Sequence, residues 1–379
     1  MRNFKSKLTK NKIILKTIVI LCMLAFLIQP VNVMAVALSA QTAVLVDVES
    51  GRVLYSKNEN QKMLIASLTK IMTAIVAIEN AKLESQVKVS KTAFGVEGSS
   101  IYLKLNEKMK LHDMLYGLML RSGNDAATAV AEHVSSSMDK FAEVMNGKAK
   151  EIGMNGTNFS NSHGLDWGEG NYSTASDMGK LLAYSLRNPV FKDIVSTKVK
   201  KVPWEGESYD RVFYNKNKML SLYPGGDGVK TGYTKKAGRC LASSASKDGW
   251  QLATIVLNAP DWWRDSARLL DYGFQNYQRH LLIETGKPVK DVPVLLGKAA
   301  RINLIVEKEM HYPIKEDEKD KFSYVWNIPD TVKAPVKKGQ TIGNVVVLFE
   351  EQEIANVALY SNTSVDKLSF FERIRGYFQ

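Results

Sequence analysis

The segment that most constrains the fold is a nearly unbroken apolar run from Ile71 to Ile78. A run that is apolar on almost all sides of a helix predicts a helix buried in the core of a globular domain. The hexapeptide Ile65-Ala66-Ser67-Leu68-Thr69-Lys70 directly precedes it. Ser67 is therefore expected at the start of the helix, and Lys70 one turn further along the same face, within reach of the Ser67 hydroxyl.

A lysine at the head of a buried helix has unusual chemistry. Partial desolvation lowers the pKa of its amine toward the range of a useful base, and a serine beside such a base is a candidate nucleophile. The helix N-terminus also offers backbone N–H groups to a developing oxyanion. The spacing alone is weak evidence, because it recurs where no long apolar helix follows, at Ser85, Ser137, Ser244 and Ser364. On spacing alone, an N-capping serine followed by a surface lysine is the better interpretation.

A second polar group, Ser122-Gly123-Asn124, separates two predicted helices. Leu111 to Leu120 has helical periodicity, and an alanine-rich helix is expected from about Asp125 to Val134. A tight turn between two apolar helices could place two side chains at a cleft. An ordinary helix–helix link with Asn124 or Asp125 as N-cap explains the same pattern equally well.

The third group is Lys230-Thr231-Gly232-Tyr233, which follows three closely spaced glycines and is predicted to lie on a strand edge. A cation and a hydroxyl on such an edge suit a carboxylate ligand. Gly232 removes a side chain where something must approach the backbone closely. A strand end with an exposed lysine is the plainer alternative, and the spacing is not that of a phosphate loop.

A segment rich in Gly, Asn and Ser extends from Asn155 to Asp177 and contains His163. Polar loops of this kind often carry functional residues, but they also serve as plain surface connections. The segment is therefore interpreted either as the rim of a site or as a link between helices.

The first 35 residues have the pattern of a secretory signal peptide. Six basic residues and no acidic one occur there, together with an apolar segment from Thr17 to Ile28 and the small-residue site Val33-Met34-Ala35. Cleavage after Ala35 would leave Cys240 as the one cysteine, which excludes an internal disulfide. Cys240 itself is expected in a core strand. The six basic residues account for half of the net charge of +12. No nucleic-acid footprint, metal site or cofactor motif is predicted.

The remaining chain divides into three parts. Residues 36–279 mix strands and helices and begin with a predicted hairpin of Thr42–Asp47 and Arg52–Tyr55. Residues 280–361 contain short β-like runs and no long helix, which predicts a small all-β domain. Residues 362–379 are predicted to form an amphipathic helix on a membrane surface, the alternative being a helix docked on its own domain. Its aromatic face would consist of Phe370, Phe371, Ile374, Tyr377 and Phe378.

Taken together, Ser67-x-x-Lys70, Ser122-Gly123-Asn124 and Lys230-Thr231-Gly232 resemble the motif set of penicillin-binding proteins and class A β-lactamases. From about Ala40 to its end, the chain is similar to the D-alanyl-D-alanine carboxypeptidases of the penicillin-binding protein 5 type. The resemblance implies an α+β fold, with a transpeptidase-like catalytic domain, whose antiparallel sheet is flanked by helices, and a second small all-β domain. The chain departs from the β-lactamase motif set at Gly123, where those enzymes usually have Asp. It also departs from many relatives at Tyr233, where they often have His.

The resemblance also implies roles. Ser67 would attack the carbonyl of the penultimate D-alanine of a peptidoglycan pentapeptide, and Lys70 would take its proton. Ser122 and Asn124 would hold Lys70 and relay a proton to the leaving D-alanine. Substrate binding would fall to Lys230, Thr231, Gly232, Tyr233 and His163, with the backbone N–H groups of Ser67 and Tyr233 as the oxyanion hole. The enzyme would need no cofactor, would bind β-lactams covalently, and would act at the outer face of the cytoplasmic membrane or in the cell wall.

Three alternatives are weighed against this. A β-lactamase needs a glutamate-activated water, for which Glu151 is the candidate, although it is expected at the end of a helix capped by Gly153. A D-Ala-D-Ala endopeptidase would use the same fold with a more open pocket. A non-enzymatic wall-binding protein is disfavoured by the intact nucleophile, base and carboxylate clamp.

Overall fold

The computed structural model describes residues 36–166 and 170–375. The described residues from Leu38 onward form one compact unit. The predicted signal peptide lies outside the described residues, as do Tyr377, Phe378 and the side chain of Ile374. No helix in the described ranges is both long and apolar enough to cross a bilayer.

The helices and strands alternate along the first two thirds of the chain, and strands dominate the rest. The α-helices of the described ranges are α1 (Thr69–Asn80), α2 (Leu111–Tyr116), α3 (Asn124–Ser135), α4 (Met138–Glu151), α5 (Ala175–Leu186), α6 (Pro189–Ser196), α7 (Met219–Leu222), α8 (Trp262–Asn276) and α9 (Phe370–Arg375). Tighter or wider helical turns occur at Ala66–Leu68 and Glu316–Lys321 (both 3-10) and at Gly117–Arg121 (π).

The strands are β1 (Thr42–Asp47), β2 (Val53–Lys57), β3 (Met63–Leu64), β4 (Gln86–Lys88), β5 (Lys108–Lys110), β6 (Tyr172–Ser173), β7 (Val199–Val202), β8 (Arg211–Tyr214), β9 (Gly226–Thr234), β10 (Gly238–Lys247), β11 (Trp250–Leu257), β12 (Gln278–Ile283), β13 (Lys290–Leu295), β14 (Arg301–Ile305), β15 (Met310–Ile314), β16 (Phe322–Asn327), β17 (Val332–Lys333), β18 (Thr341–Phe349) and β19 (Gln352–Ser361). The predicted hairpin is confirmed as β1 and β2.

An antiparallel sheet in the order β2-β1-β11-β10-β9 forms the centre of the first domain. Side chains alternate between the two faces of a strand, so β1 contributes to two cores. Val44 and Val46 belong to a core shared with α1, α3, α4 and α5, whereas Leu45 belongs to a second core with Leu269 of α8. A sheet with helices on both faces confirms the predicted α+β class.

The apolar run is buried as predicted. Every residue of α1 from Thr69 to Ala77 is buried. The predicted helix over 111–120 is present as α2, but its last turn widens into the π turn and stops at Ser122, which is left-handed (φ 66°, ψ 33°). Cys240 is a buried free thiol on β10, also as predicted.

The second domain is built on a six-stranded sheet in the order β16-β18-β19-β14-β13-β17. Arg52, in the β1–β2 hairpin, joins this domain to the first. Its guanidinium donates to the two carboxylate oxygens of Glu318 at 3.0 and 2.8 Å and to the Pro313 carbonyl, and it lies over the rings of Tyr277 and Phe349. The hairpin that leads to Ser67 is therefore also the contact with the β domain.

The tail differs from the prediction at its start. Residues 364–369 are not helical, because Val365 pairs with Val336 and Lys367 pairs with Gly297 in isolated β-bridges. Helix α9 begins at Phe370. Helical periodicity among the later residues could not reveal that the earlier ones pair with the β domain.

Candidate active site

Ser67 lies in the 3-10 turn that leads directly into α1. Ala66 before it has a positive φ of 46°, and its carbonyl accepts a hydrogen bond from Thr69 Oγ1 at 2.8 Å. A side chain at Gly164 would collide with that same carbonyl. The polar loop that contains Gly164 therefore packs directly against the 3-10 turn Ala66–Leu68. Ser67 is partly exposed between buried Ala66 and Leu68. Its backbone is therefore fixed while its hydroxyl stays accessible.

Lys70 is fully buried, and its Nζ lies within hydrogen-bond distance of three oxygens. These are Ser67 Oγ at 3.0 Å, Asn124 Oδ1 at 2.7 Å and the His163 carbonyl at 2.6 Å. A neutral amine has two N–H groups and one lone pair, so it can donate to the last two and accept the Ser67 proton.

The charge state of Lys70 favours this arrangement. Burial holds the pKa of Lys70 well below 10.5, and the positive charges of Lys230 and Lys216 lower it further, while the Asp125 carboxylate opposes them. Desolvation disfavours the ammonium form, and a like charge nearby does the same. Lys70 therefore has the environment of a general base.

Asn124 is oriented by its own backbone and by a neighbouring loop. It begins α3, and its Nδ2 donates to the Glu97 carbonyl at 2.6 Å, which directs Oδ1 toward Lys70. No side chain caps α3, whose N-cap is Gly123, so the alternative in which Asn124 or Asp125 serves as N-cap is wrong.

Ser122 lies beside this group but contributes differently from the expectation. It is 5% exposed and left-handed, at the end of the π turn. Ser122 is not among the described residues whose oxygens lie within hydrogen-bond distance of the Lys70 amine. Of the two residues expected to hold Lys70, Asn124 does so and Ser122 does not in this structure.

The third motif lies on β9, the edge strand of the central sheet, as predicted. A Cβ at Gly232 would lie 3.2 Å from the backbone nitrogen of Ser67 and 3.2 Å from the Ile65 carbonyl oxygen. The missing side chain thus lets β9 approach the 3-10 turn Ala66–Leu68, which we name the nucleophile turn after the candidate nucleophile Ser67. Thr231 is half-buried and Tyr233 is 62% exposed.

Lys230 is buried, and its Nζ donates to the Thr231 carbonyl at 2.8 Å. Burial, aided by the charge of Lys216, lowers the pKa of Lys230 from 10.5 to about 7. Within the described part of the chain Lys230 has no carboxylate partner, and a desolvated cation of this kind is suited to an incoming anion.

His163 is placed otherwise than its expected role required. Its side chain is 1% exposed, and the atom that reaches the site is its main-chain carbonyl, on Lys70. Burial and the charge of Lys70 lower the pKa of the imidazole from 6.5 to about 3, so the ring is neutral. His163 therefore contacts Lys70 through its backbone and not through its ring.

Two neighbours of the site, Lys216 and Asp125, could not be predicted as such from the sequence. Lys216, between two asparagines, is exposed at the surface, and its Nζ donates to Ser99 Oγ at 3.3 Å. Asp125 is buried, and its carboxylate accepts from Ser100 Oγ at 2.6 Å, from the Ile101 N–H at 3.1 Å and from the Leu103 N–H at 3.2 Å. Asp125 fixes the loop beside Asn124, and Lys216 adds positive charge to the site. Neither residue has a distinctive sequence signal.

A family model for D-alanyl-D-alanine carboxypeptidase matches residues 29–261, and a model for the C-terminal domain of penicillin-binding protein 5 matches residues 277–367. The chain belongs to the D-alanyl-D-alanine carboxypeptidase family. The central sheet and the three motifs lie within the span of the first model, and the six-stranded sheet lies within that of the second. In this serine peptidase family, penicillin binding is typical.

Individual members of the carboxypeptidase family are similar over most of their length. The carboxypeptidase DacF of Bacillus subtilis is 34% identical, with 87% of each chain covered. DacC of Escherichia coli is 32% identical over 90% of this chain and 88% of its own. The crystal structure of penicillin binding protein 5 from Haemophilus influenzae has a TM-score of 0.69 at 30% identity, covering 89% of this chain and all of that one.

Proposed function

We propose that this chain removes the terminal D-alanine from peptidoglycan stem peptides through an acyl-enzyme on Ser67. The observation that carries the proposal is the contact of 3.0 Å between Ser67 Oγ and the buried amine of Lys70. The edge strand with Lys230 lies against the same turn. Nucleophile, base and carboxylate partner are the three elements that this reaction requires.

Acylation begins when neutral Lys70 takes the Ser67 hydroxyl proton and Oγ attacks the carbonyl of the penultimate D-alanine. The backbone N–H groups of Ser67 and Tyr233 receive the oxyanion. The C–N bond then breaks, and the proton held by Lys70 passes to the leaving amine, with the Ser122 hydroxyl as the proposed relay. The result is an ester on Ser67 and free D-alanine.

Deacylation repeats the chemistry with water. Lys70, neutral again, takes a proton from water as its oxygen attacks the ester carbonyl. The ester C–O bond breaks, and the proton returns to Ser67 Oγ. Asn124 and the His163 carbonyl keep Lys70 oriented through both steps. A β-lactam would enter by the same attack and remain as a slowly hydrolysed acyl-enzyme.

Substrate recognition is assigned to the edge strand. Lys230 would pair with the terminal carboxylate and the Thr231 hydroxyl would donate to it, while Gly232 keeps the strand close to the nucleophile. Tyr233, largely exposed, would border the pocket. For His163 we propose no direct contact with substrate.

The geometry does not favour the β-lactamase alternative. Glu151 ends α4, and its carboxylate accepts from Lys148 at 2.8 Å on the helix surface, so it is already engaged outside the nucleophile turn. The endopeptidase alternative uses the same site residues, and hydrolysis of cross-linked against uncross-linked peptides separates the two.

Catalysis is tested by release of D-alanine from a Lys-D-Ala-D-Ala peptide by residues 36–379, with and without penicillin. Ser67→Ala should abolish both release and penicillin labelling, and Lys70→Ala should fold but acylate at least 10³-fold more slowly. Ser137→Ala is the matched control, because Ser137-x-x-Lys140 has the same spacing. There the Ser137 hydroxyl caps α4 by accepting from the Lys140 backbone N–H at 3.3 Å, instead of contacting the lysine amine. Normal labelling of Ser67→Ala would refute the assignment.

We further propose that the chain is exported and that it consists of three parts, residues 36–279, 280–361 and 362–379. We also propose that it associates with the membrane surface through α9. Phe370 and Phe371, at the start of α9, are 67% and 81% exposed. Because residues 364–369 pair with the β domain, a clean truncation ends at Ser369. That truncation should lose binding to lipid vesicles yet keep D-alanine release, and unchanged sedimentation with vesicles would contradict the proposal.

A further inference from the structure

Two neighbouring leucines are exposed at one tip of the β domain. Leu295 ends β13 and is 51% exposed, and Leu296 follows it at 38% with a positive φ of 59°. We name this pair the leucine turn. An apolar pair at a tip, away from the domain core, is a feature of surfaces that meet another apolar phase.

The leucine turn is bonded to the segment that starts the tail helix. The Leu368 N–H donates to the Leu296 carbonyl at 2.8 Å, and the Lys298 N–H donates to the Asp366 carbonyl at 2.9 Å. The bridge between Gly297 and Lys367 lies between these two bonds. The leucine turn and α9 therefore emerge from the same end of the β domain.

The start of α9 is fixed as well. The Ser369 N–H donates to the Glu372 carboxylate at 2.7 Å, and the Glu372 N–H donates to Ser369 Oγ at 3.3 Å, which forms a reciprocal cap. Phe370 and Phe371, the two most exposed large apolar side chains near this end, follow directly. Four exposed apolar residues thus lie on segments that are hydrogen-bonded to each other.

Exposed lysines surround these apolar residues. Lys333 pairs with Leu295 on the neighbouring strand, and Lys298 and Lys367 flank the bridge. Lys337 and Lys338 follow Val336, which pairs with Val365 of the same segment. Among the described residues, these five lysines stand beside two acidic side chains, Asp366 and Glu372. An apolar tip flanked by lysines is complementary to the surface of an anionic bilayer.

We propose that the leucine turn and its lysines form a second membrane contact, which inserts into an anionic lipid surface beside α9. The inference rests on the proposed membrane role of α9 and extends it. Binding of an amphipathic helix to a bilayer strengthens with the apolar area buried and with attraction to anionic lipids, so a second apolar contact among lysines would strengthen the association. Two contacts on one rigid domain would also fix the orientation of the catalytic cleft above the bilayer.

The test is vesicle sedimentation of residues 36–379 with phosphatidylglycerol–phosphatidylethanolamine vesicles and with phosphatidylcholine vesicles. The double variant Leu295→Ser/Leu296→Ser should bind the anionic vesicles roughly tenfold more weakly. The matched control is Leu222→Ser/Leu281→Ser, because these leucines are 60% and 40% exposed and lie elsewhere. The control should bind as the unchanged chain does, and D-alanine release should be normal in both.

A second readout reports insertion directly. A Leu295→Cys variant labelled with an environment-sensitive fluorophore should shift to the blue on anionic vesicles, whereas Leu281→Cys should not. Cys240 will not compete for the label, because it is buried and burial raises the pKa of its thiol to about 11.

The variant Phe370→Ser/Phe371→Ser separates this inference from the function it extends. If that variant binds vesicles as the unchanged chain does, the role of α9 fails. If it loses binding while the leucine-turn variant does not, and the label at position 295 shows no shift, the role of α9 stands and the second contact is overturned. Equal binding to neutral and anionic vesicles would overturn the choice of an anionic surface.

Discussion

Lys230 allows a quantitative test of the electrostatics, because burial lowers the pKa of its amine from 10.5 to about 7. Between these two pH values the unfolded chain binds a proton that the folded chain has released. The free energy of unfolding therefore rises with pH through this window, and the cost of burying Lys230 is greatest below it. At about pH 7 that cost is roughly 4 kcal/mol, and at about pH 9.5 it falls to roughly 1.5 kcal/mol.

Replacement of Lys230 by methionine removes the ionisable group and keeps most of the side-chain volume. The variant also loses the hydrogen bond of 2.8 Å to the Thr231 carbonyl, which is worth about 1 to 2 kcal/mol. We therefore expect Lys230→Met to be more stable than the unchanged protein by about 2 to 3 kcal/mol near pH 7 and by little or nothing near pH 9.5. Its KM for the peptide should rise by about 10- to 100-fold.

The assay is urea unfolding, followed by tryptophan fluorescence at the two pH values. Lys236→Met is the matched control, since Lys236 is exposed in the turn after β9 and its loss should not change the pH dependence. A Lys230→Met variant no more stable than the unchanged protein near pH 7 would refute the reasoning. A stability difference that does not shrink at high pH would do the same.

Three further substitutions test the geometry. Gly232→Ala places a methyl group 3.2 Å from the backbone of the nucleophile turn, so penicillin acylation should slow by about 100-fold, and an unchanged rate would contradict the close approach of β9. Asn124→Asp puts a carboxylate on Lys70 and raises its pKa, so the acidic limb of the profile of kcat/KM against pH should move to higher pH. Arg52→Ala leaves the Glu318 carboxylate with the Lys315 N–H but without its guanidinium partner, so urea unfolding should show a loss of about 2 to 4 kcal/mol, and a loss below about 0.5 kcal/mol would show that the hairpin contact is unimportant.

The elements that carry the three motifs could be predicted because each motif is local. The apolar run fixes α1, the glycine-rich approach fixes β9, and helical periodicity fixes α2 and α3 on either side of Ser122-Gly123-Asn124. Gly232 was also informative, since a missing side chain on a strand indicates a close neighbour, although only the fold shows that the neighbour is Ser67.

What could not be predicted depends on tertiary contacts that carry no residue signature. Any residue at position 163 offers a carbonyl, so nothing in a histidine indicates that its backbone would hold Lys70. Lys216 lies near the site because the chain after β8 bonds to the π turn, where the Lys216 N–H donates to the Leu120 carbonyl at 3.1 Å. Local periodicity predicts a helix for the first part of the tail, because it cannot register that Val365 pairs with the distant Val336.

The charges of the site explain how the same residues could hydrolyse a peptide and yet be trapped by penicillin. Lys230 and Lys216 lower the pKa of Lys70, so a bound carboxylate, which offsets their charge, raises it again. A peptide substrate loses its carboxylate with the departing D-alanine, which restores a neutral Lys70 for the attack of water. A penicillin stays whole after its ring opens, and in the proposed binding mode its carboxylate would remain beside Lys230.

Lys70 gives its proton to the nitrogen of the opening β-lactam ring, but because the bound carboxylate raises its pKa it should take up another proton from solvent and be unable to activate water. Esterifying the carboxylate of the penicillin removes that charge, so its acyl-enzyme should form more slowly but hydrolyse about tenfold faster than the adduct of the free acid. Mass spectrometry of the Ser67 adduct over time measures both rates. Equal hydrolysis rates for the two adducts would show that the fate of the acyl-enzyme depends on the exclusion of water instead of on the charge of Lys70.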